Sequence, residues 1–399
     1  MAGWEELLHP LTEVSRENGS AGLQDAASYL AAALQSAGAQ VEHIPYLASP
    51  WRLRVTGLLV LVGGCAYGLL MRKGKALAAL AVALLVPAVL LAELDGYVPL
   101  VSRWGTAPQA HVLARIPAQV PPVQRLILAA HYDTKTDLLD HVERGPIELA
   151  TLPATLFLML GAAGLLALRR WPQAPRALKW GPRLATLAGP LVGVAYFLML
   201  TAGAFIPERS PGALDDGASC AILVRLAQTL AASPLERTEV EILLLSGEEI
   251  GVQGSWEYAR QRFARPPALP TALLNLEGLG ATENLAVYGI EHFTLRRFYP
   301  DPRLVRLLDE VHQQARGRPL HVTSDPVVTD ARSFLAHGIP SATLAGDAAD
   351  HKPFRGMHSA EDHRHRVSIP ALEGTLELLL TTVRLADTRE LLRQRPETR

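Results

Sequence analysis

The sequence predicts an α/β fold, a sheet covered by helices, into which two apolar helical hairpins are inserted. Three observations carry that prediction. Short apolar runs suited to buried strands alternate with stretches of helical apolar rhythm. Four longer segments carry no charged residue. Hydrophobic residues make up 49% of the 399 positions and charged ones 19%, with a positive mean hydropathy, a balance high for a chain lying wholly in water.

The charge-free segments are Val55 to Met71, Ala76 to Ala92, Leu149 to Leu168 and Leu184 to Ile206. Each approaches or exceeds the roughly 17 to 25 residues that a membrane-spanning helix needs, although the two shorter ones also suit buried core helices. Trp51, Trp171 and Trp180 lie close to segment ends, where indole rings favour the headgroup region; ordinary packing would also place them there. A multi-pass arrangement with four spans is expected, and with it a lipid bilayer as partner. The first hairpin turns through Arg72, Lys73 and Lys75, the second through Arg169, Arg170, Arg176, Lys179 and Arg183, and neither connector holds an acidic residue. By the positive-inside tendency these tips face the cytoplasm, which puts the soluble segments, and any catalytic domain they form, on the extracytoplasmic side. Arg52 and Arg54 beside the first span run against that orientation. In either orientation two complete hairpins return the chain to its starting side, so the soluble pieces can build one domain. The expected division is 1–54, 93–146 and 207–388 for that domain, 55–92 and 147–206 for the hairpins, and 389–399 for a loose polar tail. The acidic start Met1-Ala2-Gly3-Trp4-Glu5-Glu6 does not read as a cleavable signal peptide.

Within the soluble pieces, Gln24 to Ala37 has a helical rhythm closed by Gly38. Arg125 to Ala130, Glu239 to Leu245 and Ala272 to Leu276 read as buried strands. A helix is expected after Asp216, and others near Gln253 to Arg262, Arg303 to Ala315 and Ile369 to Leu385. A net charge of -1 and a pI near 6.9 leave no basic footprint, so nucleic acid is not an expected partner. Cys65 and Cys220, one in an apolar run and one in a helix, do not suggest a disulfide framework. Oligomeric state is left open.

Five acidic or imidazole positions fall at the ends of apolar runs, where sheet-based sites gather their residues. His131 ends one strand, and Asp133 two residues on can hold its second ring nitrogen, as outer carboxylates do for metal-binding histidines. Asp215 sits in Gly212-Ala213-Leu214-Asp215-Asp216, where adjacent carboxylates also suit a helix cap. Glu248 and Glu249 follow the next strand, and two neighbouring acids there repel unless a cation or proton intervenes. Glu277 ends a third strand, and His358 lies in Met357-His358-Ser359-Ala360-Glu361-Asp362. Each alone has an ordinary structural reading. Together they form a ligand set of two histidines and three carboxylates plus a spare glutamate, which suits a two-zinc hydrolase. Ligand type favours zinc, and cobalt or manganese could substitute.

In this order and spacing, with the second hairpin set aside, His131-x-Asp133, Gly212-Ala213-x-Asp215-Asp216, Glu248-Glu249-x-Gly251, Glu277 and His358-Ser359-x-Glu361-Asp362 resemble the zinc aminopeptidase family that also holds glutamate carboxypeptidase and glutaminyl cyclase. The likeness extends to Gly19-Ser20 before the early helix and to Thr329-Asp330-Ala331-Arg332-Ser333-Phe334. It implies a mixed, mostly parallel sheet with helices on both faces and two Zn2+ ions per chain. Asp215 would bridge the ions, His131 and Glu277 would complete one shell, and Glu249 and His358 the other. Glu248 would be the general base that activates the bridging water, Asp133 would support His131, and the substrate would be a peptide.

Two departures from the family stand out. The spans are inserted within the peptidase domain, which implies a site near a membrane surface. Where some relatives carry an oxyanion-stabilising tyrosine, this chain reads Asp325-Pro326-Val327-Val328, and Tyr288, His351 or the second metal remain as alternatives. His337, His363 and His365 read as surface residues. Removal of N-terminal residues is the activity the resemblance favours, with amino- versus carboxypeptidase action and residue preference left open. The alternatives are a single-zinc glutaminyl cyclase, which the retained full ligand set disfavours, and an inactive peptidase-fold binding module. A transporter is disfavoured because the spans lack charge.

Overall fold

The computed structural model describes residues 3–103, 105–347 and 354–393. Contacts divide the chain into two units, Met1–Ala48, Ala107–Lys135 and Glu208–Arg399 in one, and Ser49–Thr106 with Thr136–Pro207 in the other. Among the described residues the strands are β1 (Gln40–Ala48), β2 (Ala107–Ile116), β3 (Gln124–His131), β4 (Thr238–Leu245), β5 (Thr271–Glu277), β6 (Leu285–His292), β7 (Arg297–Phe298), β8 (His321–Val327) and β9 (Ser341–Gly346). The α-helices are α1 (Trp4–Thr12), α2 (Ala21–Ser36), α3 (Arg52–Arg72), α4 (Ala76–Leu90), α5 (His141–Arg170), α6 (Trp180–Leu200), α7 (Ala218–Ala232), α8 (Gln253–Arg262), α9 (Pro302–Arg316), α10 (Ala331–Ala336) and α11 (Ile369–Thr388).

All strands belong to the first unit, in the order β1-β2-β4-β3-β5-β9-β6-β7, with β8 also on β6. The four central strands β4, β3, β5 and β9 run parallel. The β1–β2, β2–β4, β9–β6 and β6–β7 pairings are antiparallel, and β8 runs parallel to β6. The expected mixed sheet is therefore present, parallel at its centre. Side chains alternate across a strand, and here both faces are buried. Leu126, Leu128 and Ala130 of β3 enter one core with α7, whereas Ile127 and Ala129 enter a second core with Tyr258 of α8 and Phe334 of α10. Two-sided burial is why β3, β4 and β5 read as mainly apolar runs without alternation, broken only by Glu241 in β4 and Asn275 in β5.

The expected strands and helices recur with shifted ends. Helix α2 starts at Ala21, ahead of Gln24, because the Ser20 hydroxyl accepts from the Leu23 N–H and caps the helix there. The tail from Arg389 is not loose along its described part. Leu391 is buried, the Leu392 N–H donates to Gln124 at 2.8 Å, and Arg389 pairs with Glu310 at 2.7 Å. Residues 394–399 lie outside the described residues.

The second unit holds α3, α4, α5 and α6, each with its flanking turn long and apolar enough, by length and composition, to cross a membrane. Helix α5 starts at His141, well before the charge-free stretch at Leu149, because Asp140 accepts from the N–H groups of Val142 and Glu143 while Glu143 closes a capping box. Helix α6 ends at Leu200, and a short 3₁₀ turn Ala202–Phe205 follows. α3 and α6 pack through small residues: a Cβ at Gly64 would lie 2.3 Å from the Gly189 carbonyl oxygen. Close backbone approach of this kind is how helices pack where burial from water supplies no drive. Leu77, Leu84, Leu149, Leu152, Leu160 and Leu191 are all exposed on the outside of this unit.

Candidate metal centre

The C-terminal ends of the parallel strands bring the predicted residues together. His131 ends β3, Glu248 and Glu249 follow β4, and Glu277 ends β5. Asp215 lies in the turn Ala213–Gly217 that leads into α7, and the Asp215–Asp216 peptide bond is cis. His358 adopts a left-handed backbone, φ 63°, in the loop before α11.

Asp215 is the centre of the cluster. Its Oδ1 lies 3.1 Å from His131 Nε2, which is 3.5 Å from Glu277 Oε1. Its Oδ2 lies 3.0 Å from His358 Nε2, which is 3.0 Å from Glu249 Oε1. One carboxylate thus presents each of its oxygens to a different imidazole and glutamate. His131 Nε2, Glu249 Oε1 and Glu277 Oε2 are buried and make no hydrogen bond. Buried polar atoms are rarely left so, and orphaned imidazole nitrogen and carboxylate oxygen converging on shared points are a donor set for divalent metal. His131, Asp215 and Glu277 offer ligand atoms all within 4.8 Å of one another.

The charges follow from this packing. Burial alone would lower the proton affinity of His131, but Asp133, Asp215 and Glu277 outweigh it and hold the ring well above its ordinary value. Burial would raise Asp215, yet His131 and His358 hold it well below the usual carboxylate range. Glu248, partly exposed, is pushed well up by burial and then by Glu249, Glu277 and Asp330, with His131 opposing. A carboxylate with raised proton affinity is suited to holding a proton near neutral pH.

Asp133 meets the second ring nitrogen of His131 with both its main chain and its side chain. The nearest partner of His131 Nδ1 is the main-chain carbonyl of Asp133 at 3.1 Å, with the carboxylate at 3.6 Å. That carboxylate is also engaged elsewhere: it accepts from Asn18 Nδ2 at 2.7 Å and from the N–H groups of Glu249 and Glu248 at 3.0 and 3.3 Å. It fixes the turn that carries both glutamates.

Three further buried charged residues border the cluster: Arg16, which the sequence reading did not single out, and Asp362 and Asp330, which it quoted without a role. Arg16, 1% exposed, donates to the carbonyls of Tyr132, Pro211 and Gly212 at 2.7, 2.6 and 2.9 Å. It ties the strand end that carries His131 to the loop that carries Asp215, with Asp362, Asp133 and Asp215 as charged neighbours. The Asp362 carboxylate accepts from the N–H groups of Leu214 and Asp215, and burial followed by Asp215 raises its pKa to about 6. Asp330 is fully buried with neither oxygen hydrogen-bonded, and burial, Asp133 and Glu277 raise it to about 7 against His131 and Ser255. The only signal for Arg16 was its place three residues before Gly19-Ser20. Its three acceptors are main-chain atoms, which leave no mark in sequence.

Of the oxyanion alternatives, Tyr288 is buried on β6, and its phenol is pushed up by burial and then by Glu277, Glu291, Asp215 and Asp216. His351 lies outside the described residues. His363 and His365 are exposed, and His337 packs edge-on to Trp256.

A model of peptidase family M28 matches residues 198–383, just under half of the chain. No curated protein matches the chain. Among solved structures, a glutaminyl cyclase from Fimbriiglobus ruber aligns at a TM-score of 0.57 and 16% identity, over 96% of this chain and 94% of that one. An aminopeptidase from Aneurinibacillus sp. strain AM-1 aligns at 0.54 and 13%, over 95% and 92%. A Zn-dependent exopeptidase from Parabacteroides distasonis aligns at 0.54 and 12%, over 98% and 97%. At these identities the likeness establishes the fold.

Proposed function

We propose that the chain is a zinc-dependent exopeptidase of family M28, anchored in a membrane by its second unit and removing N-terminal residues from peptides. The observation that carries this reading is Asp215, whose two oxygens stand 3.1 and 3.0 Å from two separate imidazoles, each with its own glutamate. His131, Asp215 and Glu277 would hold one zinc ion, and His358, Asp215 and Glu249 the other. Bound there, zinc supplies Lewis-acid polarisation of the peptide carbonyl and makes water more acidic. The chain supplies proton handling. The Glu248 carboxylate takes a proton from the attacking water and returns it to the departing amine, a role commonly contributing about 10² to 10⁴ in rate. The carboxylate of Asp133 positions Glu248 through its N–H, and Arg16 keeps the His131 and Asp215 segments in register.

Glutaminyl cyclases share the fold. A cyclase needs one ion, whereas the two sets around Asp215 favour two. The deciding experiment offers detergent-purified protein a mixed peptide pool containing N-terminal glutamine peptides, with products read by mass spectrometry and zinc measured in parallel. Stepwise loss of N-terminal residues, abolished in Glu248→Gln with zinc retained, supports the peptidase reading. Loss of ammonia without shortening moves the assignment to cyclisation. Inert wild type with full zinc sinks both and leaves a binding role.

A further inference from the structure

Charge is segregated within the second unit. Its six carboxylates, Glu93, Asp95, Asp137, Asp140, Glu143 and Glu148, all lie outside the two hairpin connectors. The arginines near them are paired: Arg54 with Asp137 at 2.9 Å, Arg144 with Glu148 at 3.1 Å, and Arg52 with Glu93 at 3.7 Å, the last pair buried. The connectors carry eight lysines and arginines and no acid. Among the described residues none of these eight makes an ion pair, and all but the half-buried Lys179 are exposed. Arg169 donates to the Gly74 carbonyl, which joins the two connectors into one basic surface. Exposed Trp171, Leu178 and Trp180 share that end, and the guanidinium of Arg183 lies 5.6 Å from the Trp180 ring centre.

Eight unpaired cations in a chain whose net charge is -1 are a local feature. Like charges gathered without counterions repel one another, so the arrangement is favoured only where an external anion faces it. The exposed indoles and the exposed leucines of the adjoining helices indicate which anion. Tryptophan concentrates at the level of lipid headgroups, and a basic surface at that level meets headgroup phosphates.

We propose that the joined connectors form a binding surface for anionic phospholipid headgroups. This rests on the reading that α3 to α6 span a bilayer. The partner is recognised by a phosphate that carries net negative charge, as in phosphatidylglycerol, and zwitterionic phosphatidylcholine does not satisfy the surface. A single lysine or arginine near a charged membrane surface contributes about a fivefold preference, and several acting together exceed it.

The test reconstitutes the full chain into nanodiscs of phosphatidylcholine and phosphatidylglycerol and measures the relative association of spin-labelled forms of each lipid. Wild type should favour phosphatidylglycerol at least about fivefold in low salt, with the preference shrinking as salt screens the surface. A variant with Arg72, Lys73, Lys75, Arg170 and Arg176 all replaced by Gln should lose most of it, while Lys-for-Arg exchanges at Arg72, Arg170 and Arg176 should keep it. Arg169, which holds Gly74, is left in place so that the connectors stay joined. Equal association of both lipids with wild type, or an undiminished preference in the Gln variant, overturns the proposal. Alkaline carbonate extraction runs alongside: release of wild type from the bilayer overturns the spanning reading itself, and retention with no lipid preference overturns only the surface.

Discussion

Replacing Arg16 by Met keeps the buried apolar stem and removes the guanidinium. Three hydrogen bonds of 2.6 to 2.9 Å to main-chain carbonyls are lost, and of those three acceptors the Gly212 carbonyl keeps the Gly217 N–H at 3.1 Å. A hydrogen bond involving a charged group contributes roughly 1.5 to 3 kcal/mol, so three set a gross loss above 4 kcal/mol. Against that stands the relief of no longer burying a charge, which burial already disfavours strongly enough to lower the Arg16 pKa. A net destabilisation of about 4 kcal/mol remains, near the upper end for single substitutions. For a unit of this size it amounts to a fall of about 10 °C in melting temperature, measurable by scanning fluorimetry in detergent. Arg16→Lys keeps the charge but reaches fewer carbonyls, and should fall between wild type and Arg16→Met. Because the lost brace joins the His131 strand end to the Asp215 loop, zinc affinity by chelator competition should drop about 10- to 100-fold, the usual cost of losing an outer support. Arg16→Met melting within 2 °C of wild type with unchanged zinc affinity would refute the argument that this guanidinium organises the site.

Three further outcomes follow from the same structure. Asp133→Asn turns one of three acceptor contacts against a donor, and kcat/KM should fall about 10- to 100-fold with the fold intact by circular dichroism; full activity would show that the glutamate turn holds itself. Glu291 accepts from Thr329 and Thr343, and burial outweighs these bonds and Arg332 to raise its pKa to about 7. Its folded pKa lies above the unfolded one near 4.5, so its contribution is complete below about pH 4.5 and is lost as pH rises through 7. The total is about 3 kcal/mol, and Glu291→Gln should flatten the stability profile across that window; an unchanged slope refutes the assignment. Gly64→Val puts a Cβ 2.3 Å from the Gly189 carbonyl oxygen and should destabilise the helical unit by roughly 1 to 3 kcal/mol, seen as a lower melting temperature in detergent and absent if the helices simply slide apart.

The strands that could be read in sequence are the central ones. β3, β4 and β5 are buried on both faces and each holds a cluster of consecutive apolar residues, Leu126 to Ala130, Ile242 to Leu245 and Ala272 to Leu274, so periodicity is not needed to find them. β1 passed unseen because it is a mostly exposed edge strand, Gln40–Ala48, with Glu42, His43 and Pro45 inside it; what makes it a strand is its register with β2. β8 went unread for the same reason, being exposed and interrupted by Pro326. Helix α1 has an apolar face, Leu7, Leu8 and Leu11, but is short enough to leave little pattern.

Sequence by itself determined the residue types of the candidate centre, because chemistry limits which side chains hold a divalent cation and strand ends limit where they gather. His131, Glu248, Glu249 and Glu277 were visible as acids or imidazoles at the ends of apolar runs, and Asp215 and His358 through the short motifs that hold them. It likewise determined the four apolar helices, since a charge-free stretch of that length is a one-dimensional property. Only the tertiary structure decided how these residues meet. That Asp215 turns one oxygen to each imidazole depends on a loop held by Arg16 and Asp362 through main-chain atoms. That the Asp133 carboxylate serves the Glu248–Glu249 turn more than the His131 ring depends on the parallel register of β3 and β4. Main-chain donors and acceptors are the same at every residue, so where they carry the architecture the side-chain sequence leaves no record of it.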